Sequence, residues 1–460
     1  MSGRAFRAAT IEQESDMAFE KWARWLPGRV AVATAVLAGA LAGLPAGGPV
    51  TAEPTGTQQA MGRYVVVLRD STRARVDSIV EEHRRRYGGE PEFVYRHAFT
   101  GYSALLPESQ VARLRADPSV MMVGDDRSVQ AAAQVLPTGV DRVEADQSST
   151  QAGNGTGSVD AGVAVLDTGI DMTHPDLNVA GGFNCLGQPG NQPPQDDNGH
   201  GTHVAGTVGA EDNDVDVVGT APGARLYAIK VLNAGGRGRF SHFACGLDWV
   251  AEHAQSEGID VINMSLGGRG SDDGNCGLTN NDVMHFAICR VVNQAGVTVV
   301  VAAGNEGRDL AQAVPAAYDE VLAVTAMQDA NGQPGGGGTF SCFTGTDDRY
   351  ASFSNFTTIG SADAGHTIAA PGVCILSTRL VRGSGDTTTV LSGTSMASPH
   401  VAGTAALCLA GPCAGMTPAQ VISKLRADAA AQPASYGFTG DPNSPVGNRF
   451  YGHLVHAGGY

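Results

Sequence analysis

The chain has 460 residues, 42% hydrophobic and 17% charged, enough for two or three domains or for one large α/β domain with appendages. Its 62 glycines and 6% aromatic residues suit a close-packed protein with many tight turns and exclude a disordered one. The formal charge of −16 comes from residues 131–460, which hold 14 basic and 31 acidic side chains, so the body of the protein repels phosphate backbones and nucleic acid is not expected as a partner.

Residues 30–44 (VAVATAVLAGALAGL) are apolar but too short and too rich in small side chains to span a bilayer comfortably. Arg24 and Arg29 precede them and residues 50–52 (VTA) offer a small-residue cleavage site, so residues 1–52 are expected to be a signal peptide. The expected product is secreted and extracellular, without stable membrane association. Residues 53–62 are polar and contain proline and glycine, as a linker would. Residues 63–129 then form a small unit. Strands are predicted at 64–68, 93–98, 102–106 and 120–124, and helices at 72–86 and 109–116. The order is β-α-β-β-α-β.

Beyond this unit, near-continuous apolar runs at 163–166, 225–231, 260–266, 297–303 and 321–324 predict strands covered on both faces. Helical periodicity occupies 240–257 and 281–295 between them. Such alternation predicts an α/β fold with a mostly parallel central sheet and helices on both sides. Ligands bind such sheets at the carboxyl ends of the strands. Asp167, Ser265 and Asn305 all fall at or just past such ends. All eight cysteines lie at or beyond Cys185, in the segment expected to be exported, and their even number reads as a disulfide framework.

Four segments carry chemistry: 163–171 (VAVLDTGID), 200–206 (HGTHVAG), 300–307 (VVAAGNEG) and 392–403 (SGTSMASPHVAG). Ser395 enters an apolar helix running to about residue 409, where backbone N–H groups favour developing negative charge. Alone it reads as a helix cap, and a hydroxyl becomes a strong nucleophile only beside a base. His200 is the candidate base. His200 and His203 together also have the spacing of metal ligands, but no zincin glutamate lies between them. Asp167 ends an apolar strand, where a carboxylate needs a partner able to become positive. Asn305 offers a side-chain amide to an oxyanion.

These four segments, in this order, closely resemble those of the subtilisin-like serine proteases, and the resemblance runs from about residue 133 to about residue 430. It is closest to the secreted, disulfide-bearing bacterial members. It implies a three-layer subtilisin-like fold and a serine endopeptidase with Asp167, His200 and Ser395 as catalytic triad, Asn305 as oxyanion donor and His203 as a buried neighbour. It implies that residues 63–132 are an inhibitor-type propeptide that assists folding and inhibits the enzyme until autoprocessing near residues 132–133. Residues 133–430 are then the catalytic domain, and 431–460 a tail whose role stays open. A monomer acting on protein or peptide substrates is expected. Resemblance and loop lengths favour the pairings Cys185–Cys245, Cys276–Cys289, Cys342–Cys374 and Cys408–Cys413.

By matching position, Gly236, Arg237 and Gly238 on one side and Ser265, Leu266 and Gly267 on the other flank an extended substrate and pair with its backbone. Ala302, Ala303 and Ala313 line the pocket for the residue before the scissile bond. Their small side chains leave room for a large apolar or aromatic group, and Glu306 with the acidic surface also admits a basic one. Calcium is the implied structural cofactor. Its ligands are the side chains of Gln134, Asp176 and Asn213 and the carbonyls of Glu211, Val215 and Val217, all oxygen donors as a hard cation requires. A second family cation site has Thr367 where an Asp is needed, with Asp363 the nearest substitute. Two other classes stay open from the residues alone: an esterase using the same triad, and a non-catalytic binding protein.

Overall fold

A computed structural model describes residues 61–126, 134–381 and 386–460. The expected signal peptide, nearly all of the linker and the expected processing site near residues 132–133 lie outside these residues. The chain divides into two compact units, residues 1–128 and 129–460. Among the described residues no helix is long and apolar enough to cross a membrane.

The first unit has strands β1 (Met61–Leu68), β2 (Pro91–Tyr95), β3 (Gly101–Pro107) and β4 (Val120–Asp125), with helices α1 (Val76–Tyr87) and α2 (Glu108–Arg115). The predicted β-α-β-β-α-β order is thus present. The sheet order is β2-β3-β1-β4, antiparallel throughout. Alternation along β1 buries Val66 and Leu68 with Ile79 and Val80 of α1 and Leu114 of α2. Register places Phe93, Leu105 and Met122 on the opposite face, and all three are exposed.

The second unit opens with α3 (Thr138–Arg142) and then alternates. Strands β5 (Gly162–Asp167) and β6 (Val179–Asn184) lead to α4 (His200–Gly209) and β7 (Arg225–Lys230). Helix α5 (Phe240–Glu257), strand β8 (Ile259–Met264), the short β9 (Gly268–Arg269) and helix α6 (Val283–Arg290) follow. Next come β10 (Thr298–Ala302), β11 (Ala313–Val314), β12 (Leu322–Gln328), β13 (Arg349–Tyr350) and β14 (Thr357–Thr358). Strands β15 (Thr367–Pro371), β16 (Ile375–Thr378) and β17 (Thr388–Leu391) precede α7 (Thr394–Ala410), α8 (Pro418–Ala430) and β18 (Arg449–Phe450).

The central sheet runs β13-β12-β10-β8-β5-β7-β6, with β15 also paired to β12, and every pairing except β12–β13 is parallel. One apolar cluster packs α4 and α7 against one face (Val163, Val165, Val204, Val208, Val401, Ala405). A second packs α5 and α6 against the other (Leu166, Ile229, Leu247, Val250, Ile288, Val301). The helix predicted over 281–295 begins instead at Val283, because the Asp282 side chain caps it through Met284 N and His285 N, and its last turn widens over residues 291–295. All four favoured disulfide pairings are present.

The tail is the last covering of this unit. Tyr436, Phe438, Tyr451 and Leu454 are buried beside Met327 and Ala369, and the Tyr451 carbonyl accepts from Thr325 Oγ1 on β12. Arg142 ties the tail to the start of the unit. It is 1% exposed and donates to Asp348 Oδ1 at 3.0 Å and to the carbonyls of Tyr436 and Gly437 at 2.6 and 3.0 Å. Asp329, Asp347 and Asp348 cluster around it, and the two last also accept from the N–H groups of Gly335, Gly336 and Gly338. Breaking a buried ion pair from one side leaves the other charge uncompensated. Arg142→Ala is therefore expected to destabilise the second unit by about 3–5 kcal/mol, read from urea unfolding of chains that also carry Ser395→Ala.

Candidate active site

The carboxyl ends of β5, β8 and β10 are neighbours in the sheet, and two helices begin beside them. Asp167 is the last residue of β5 and has no exposure to water. Its Oδ1 lies 2.8 Å from His200 Nδ1 and accepts from Thr168 N at 2.7 Å, while Oδ2 is buried without a hydrogen-bond partner. His200 opens α4, and its side chain is 28% exposed. Helix α4 comes this close to β5 only because residue 201 is glycine: a Cβ there would collide with the Gly169 carbonyl and press on Asp167. With Nδ1–H given to Asp167, the imidazole's Nε2 is left as the free lone pair.

Further residues hold this pair. Asp196 Oδ1 accepts from Thr168 Oγ1, Asn198 N and Gly199 N. Its Oδ2 accepts from Thr202 N and Thr202 Oγ1. Thr168 Oγ1 in turn accepts from Gly201 N at 3.0 Å. Asp196 thus fixes the start of α4, and with it His200. The sequence reading passed over it; a carboxylate four residues before the histidine was the available signal.

Ser395 is the second residue of α7, so its N–H has no acceptor within the helix. Its hydroxyl donates to the Ser265 carbonyl at 3.2 Å, not to His200. In the opposite direction Ser265 Oγ donates to the Ser395 carbonyl at 2.7 Å. Pro399 explains that exchange. Lacking an N–H, it cannot bond the carbonyl four residues back, which is that of Ser395. The Ser265 hydroxyl supplies the missing donor. Asn263, buried on β8, donates to Ser265 Oγ at 2.9 Å and accepts from Ser398 Oγ at 2.7 Å. A polar residue inside the run VINM was the signal for Asn263.

Asn305 lies three residues beyond β10. Its Oδ1 accepts from Thr394 N at 2.8 Å and Thr394 Oγ1 at 3.0 Å, which turns its NH2 the other way. A Cβ built on Gly393 would sit 3.5 Å from Asn305 Nδ2 and 3.6 Å from Ser395 N. Asn305 Oδ1 is 3.7 Å from the same point, so the amide lies beside Gly393 and the Ser395 N–H at the helix start.

The other expected site residues are placed as follows. Gly236 and Arg237 form a turn closed by Asn233, with Gly236 at φ 68° and Gly238 after it. Ser265, Leu266 and Gly267 follow β8, and Ser265 is engaged with Ser395. Ala302 and Ala313 are nearly buried, and Ala313 pairs with Arg269 across β11 and β9. Ala303 is fully enclosed in the second apolar cluster, so its side chain packs into the core and not toward the surface. Glu306 is held by Asn355 Nδ2 at 2.8 Å. His203 is buried with Nε2 3.0 Å from the Ile375 carbonyl, and burial pushes it down to about 3. It and His200 do not form a metal pair.

The expected cation ligands do converge. Gln134 Nε2 donates to the carbonyls of Glu211, Val215 and Val217 at 2.6, 3.2 and 3.0 Å. The two ends of an amide are nearly isosteric, so the same side chain offers an oxygen when reversed. Asn213 Oδ1 accepts from Val215 N at 2.9 Å. Asp176 is fully buried, with Oδ2 on Val217 N and Oδ1 without a partner. Burial pushes its carboxyl up to about 8. A buried, orphaned carboxylate oxygen beside three converging carbonyls fits a hard cation. At the second position Thr367 donates its hydroxyl to the Asp363 carbonyl, and the Asp363 carboxylate faces His366 Nε2 at 3.7 Å.

Burial of His200 disfavours its charged form, but the charge and hydrogen bond of Asp167 outweigh it, and its pKa is raised above 6.5. The imidazole midpoint, followed by NMR in the Ser395→Ala chain, is therefore expected above 6.5 and should fall when Asp167 is also changed to Asn.

With this geometry in hand, the comparisons with known proteins are direct. Residues 160–453 match the profile of the "Subtilase family" and residues 63–132 that of "Peptidase inhibitor I9". Subtilisin E of Bacillus subtilis (strain 168) is 35% identical over 363 residues, 78% of this chain and 83% of that protein. An alkaline protease of Alkalihalobacillus alcalophilus is 39% identical over 325 residues, 69% of this chain and 72% of that one. The crystal structure of a cold adapted subtilisin-like serine proteinase aligns with 65% of this chain and 88% of its own, at 29% identity and TM-score 0.47.

Proposed function

The chain belongs to the subtilase family and is a serine-type endopeptidase preceded by an inhibitor domain, and from that premise we propose that it is secreted, cleaves itself from its propeptide, and hydrolyses proteins through an acyl-enzyme on Ser395. The observation that carries the residue assignment is the Asp167–His200 contact at the strand ends beside the start of α7.

Ser395 Oγ leaves the Ser265 carbonyl and attacks the peptide carbonyl while His200 Nε2 takes its proton; catalytic hydrogen bonds are often loose before substrate binds. Asp167 holds the imidazole in the tautomer that leaves Nε2 free and stabilises the imidazolium that forms. The Asn305 NH2 and the Ser395 N–H receive the oxyanion, aided by the positive end of α7. His200 then returns its proton to the leaving amine, and a water activated by the same nitrogen frees the acid. Gly236–Gly238 and Ser265–Gly267 would pair with an extended substrate, whose side chain before the scissile bond would enter between Ala302 and Ala313. This pairing favours peptides over simple esters.

The propeptide would assist folding of the enzyme and inhibit it until cleavage, a reading supported by the inhibitor-family match over residues 63–132. Gln134, Asp176 and Asn213 with the carbonyls of Glu211, Val215 and Val217 would hold calcium, which would supply the positive charge Asp176 lacks. Secretion rests on the N-terminal pattern and on the disulfides.

Three outcomes are expected. Purified chain degrades casein and the Ser395→Ala chain does not; ester hydrolysis without casein cleavage would instead indicate an esterase, and inertness of both a binding protein. Asn305→Ala lowers kcat by about 10²–10³, or about 2.7–4 kcal/mol, a magnitude established on subtilisin itself and carried over here. Chelation lowers the Tm of the Ser395→Ala chain, calcium restores it, and Asp176→Asn abolishes the response; an unchanged Tm would refute the calcium assignment.

A further inference from the structure

Away from the strand ends, a second set of titratable groups closes on a single ring nitrogen. His285, in the first turn of α6, is 1% exposed. Its Nε2 lies 2.9 Å from Glu320 Oε2. Its ring stacks on Tyr318 with centroids 4.1 Å apart and planes 2° from parallel. One hydrogen bond and one aromatic face thus fix where the imidazole points.

Its Nδ1 is buried and makes no hydrogen bond. Yet it lies 3.4 Å from an oxygen of Asp272 and 3.4 Å from an oxygen of Asp273. The three atoms fall within 4.8 Å of one another. Ligand bonds of about 2.0–2.2 Å arranged as a tetrahedron put neighbouring ligand atoms roughly 3.3–3.5 Å apart. The spacing suits an ion better than a proton. Both carboxylates are fixed in place by backbone: the facing oxygen of Asp272 accepts from Gly274 N, that of Asp273 from Asn275 N and Gly277 N, and the other oxygen of Asp273 from Thr279 N and Asn280 N.

We propose that His285 Nδ1, Asp272 and Asp273 form a binding site for a divalent transition-metal ion of the zinc class. Glu320, taking the proton on the far nitrogen, sets the tautomer that presents Nδ1, as a carboxylate behind a metal-bound histidine does. A nitrogen donor and a short ligand edge select zinc over calcium, which takes six to eight oxygens at longer range. The side chain of Asp272 is 19% exposed, leaving a side open for water as fourth ligand.

The site joins the loop 270–282, which the Cys276–Cys289 bridge also fastens to α6, and the turn carrying Glu320. That loop leaves β9, the partner of β11 with Ala313. An ion here would stiffen the outer wall of the proposed substrate pocket. The rival is an imidazolium neutralised by its three carboxylates, with no ion.

Full-length chain carrying Ser395→Ala, stripped by chelator, is titrated with cobalt(II) and then zinc(II), so the result is independent of proteolysis and of the protease assignment. The expected result is one equivalent of cobalt with the visible d–d absorption of a tetrahedral site, displaced by zinc and untouched by calcium. His285→Gln and Asp272→Asn should each weaken binding at least tenfold and remove the band. Asp272→Asn alters an accessible loop side chain and decides the matter if His285→Gln does not fold. Absence of the band in the parent, or its undiminished persistence in Asp272→Asn, would overturn the proposal.

Discussion

A carboxylate with no access to water ends the central strand β5, and the imidazole of His200 meets it at 2.8 Å. Much of the surrounding architecture is arranged to make that contact possible. Glycine at 201 lets α4 approach the strand, Thr168 and Asp196 fix the first turn of the helix, and Lys230 reaches the Thr168 carbonyl from the neighbouring strand. A charge buried this way is tolerated because its partner can become positive. The same feature that is costly for folding therefore raises the imidazole's basicity, and a base with raised pKa suits removal of a proton from a hydroxyl.

The nucleophile's side of the site is governed by a different constraint, a proline inside a helix. Pro399 removes one backbone donor from α7, and the deficit falls on the Ser395 carbonyl. Ser265 at the end of β8 fills it, and the chain Ser398–Asn263–Ser265 continues the network into the sheet. A proline that would weaken an isolated helix here goes with a bond that locks the start of α7 to the end of β8. Thr394 does the same for Asn305, through both its N–H and its hydroxyl.

What the sequence made legible divides along physical lines. Long buried runs such as 163–166 and 225–231 appear as strands within a residue or two, because continuous apolar character over so few residues admits little else. The helix 240–257 matches at both ends. The four segments that carry the proposed chemistry stand out because reactive side chains sit at abrupt junctions of apolar runs with glycine. Strand β6 (VAGGFN) was missed: glycine-rich and half exposed, it becomes a strand by pairing with β7, a long-range contact that local pattern does not contain. The tail was left open for the same reason, since Tyr436 and Tyr451 find their apolar surroundings only across the sheet edge. Asp196 and Asn263 carry local signals, but Thr168, which ties Asp196 to the strand, and Ser398, which ties Asn263 to α7, lie 28 and 135 residues away, and Thr394 meets Asn305 across 89.

An acidic body with few basic residues must still bury carboxylates, and this one does so by several distinct means. Asp212 is neutralised by backbone alone, through the N–H groups of Gly153, Asn154, Gly155 and Gly157. Asp348 uses a buried guanidinium, Arg142, and Asp167 an imidazole. Asp176 has none of these: one oxygen meets a single N–H, the other meets nothing, and three carbonyls crowd the same place. Gln134 Nε2 donates to those three carbonyls, but the orphaned Asp176 oxygen is left without a counter-charge, which the proposed cation would supply. The acidic surface of the domain would draw such an ion.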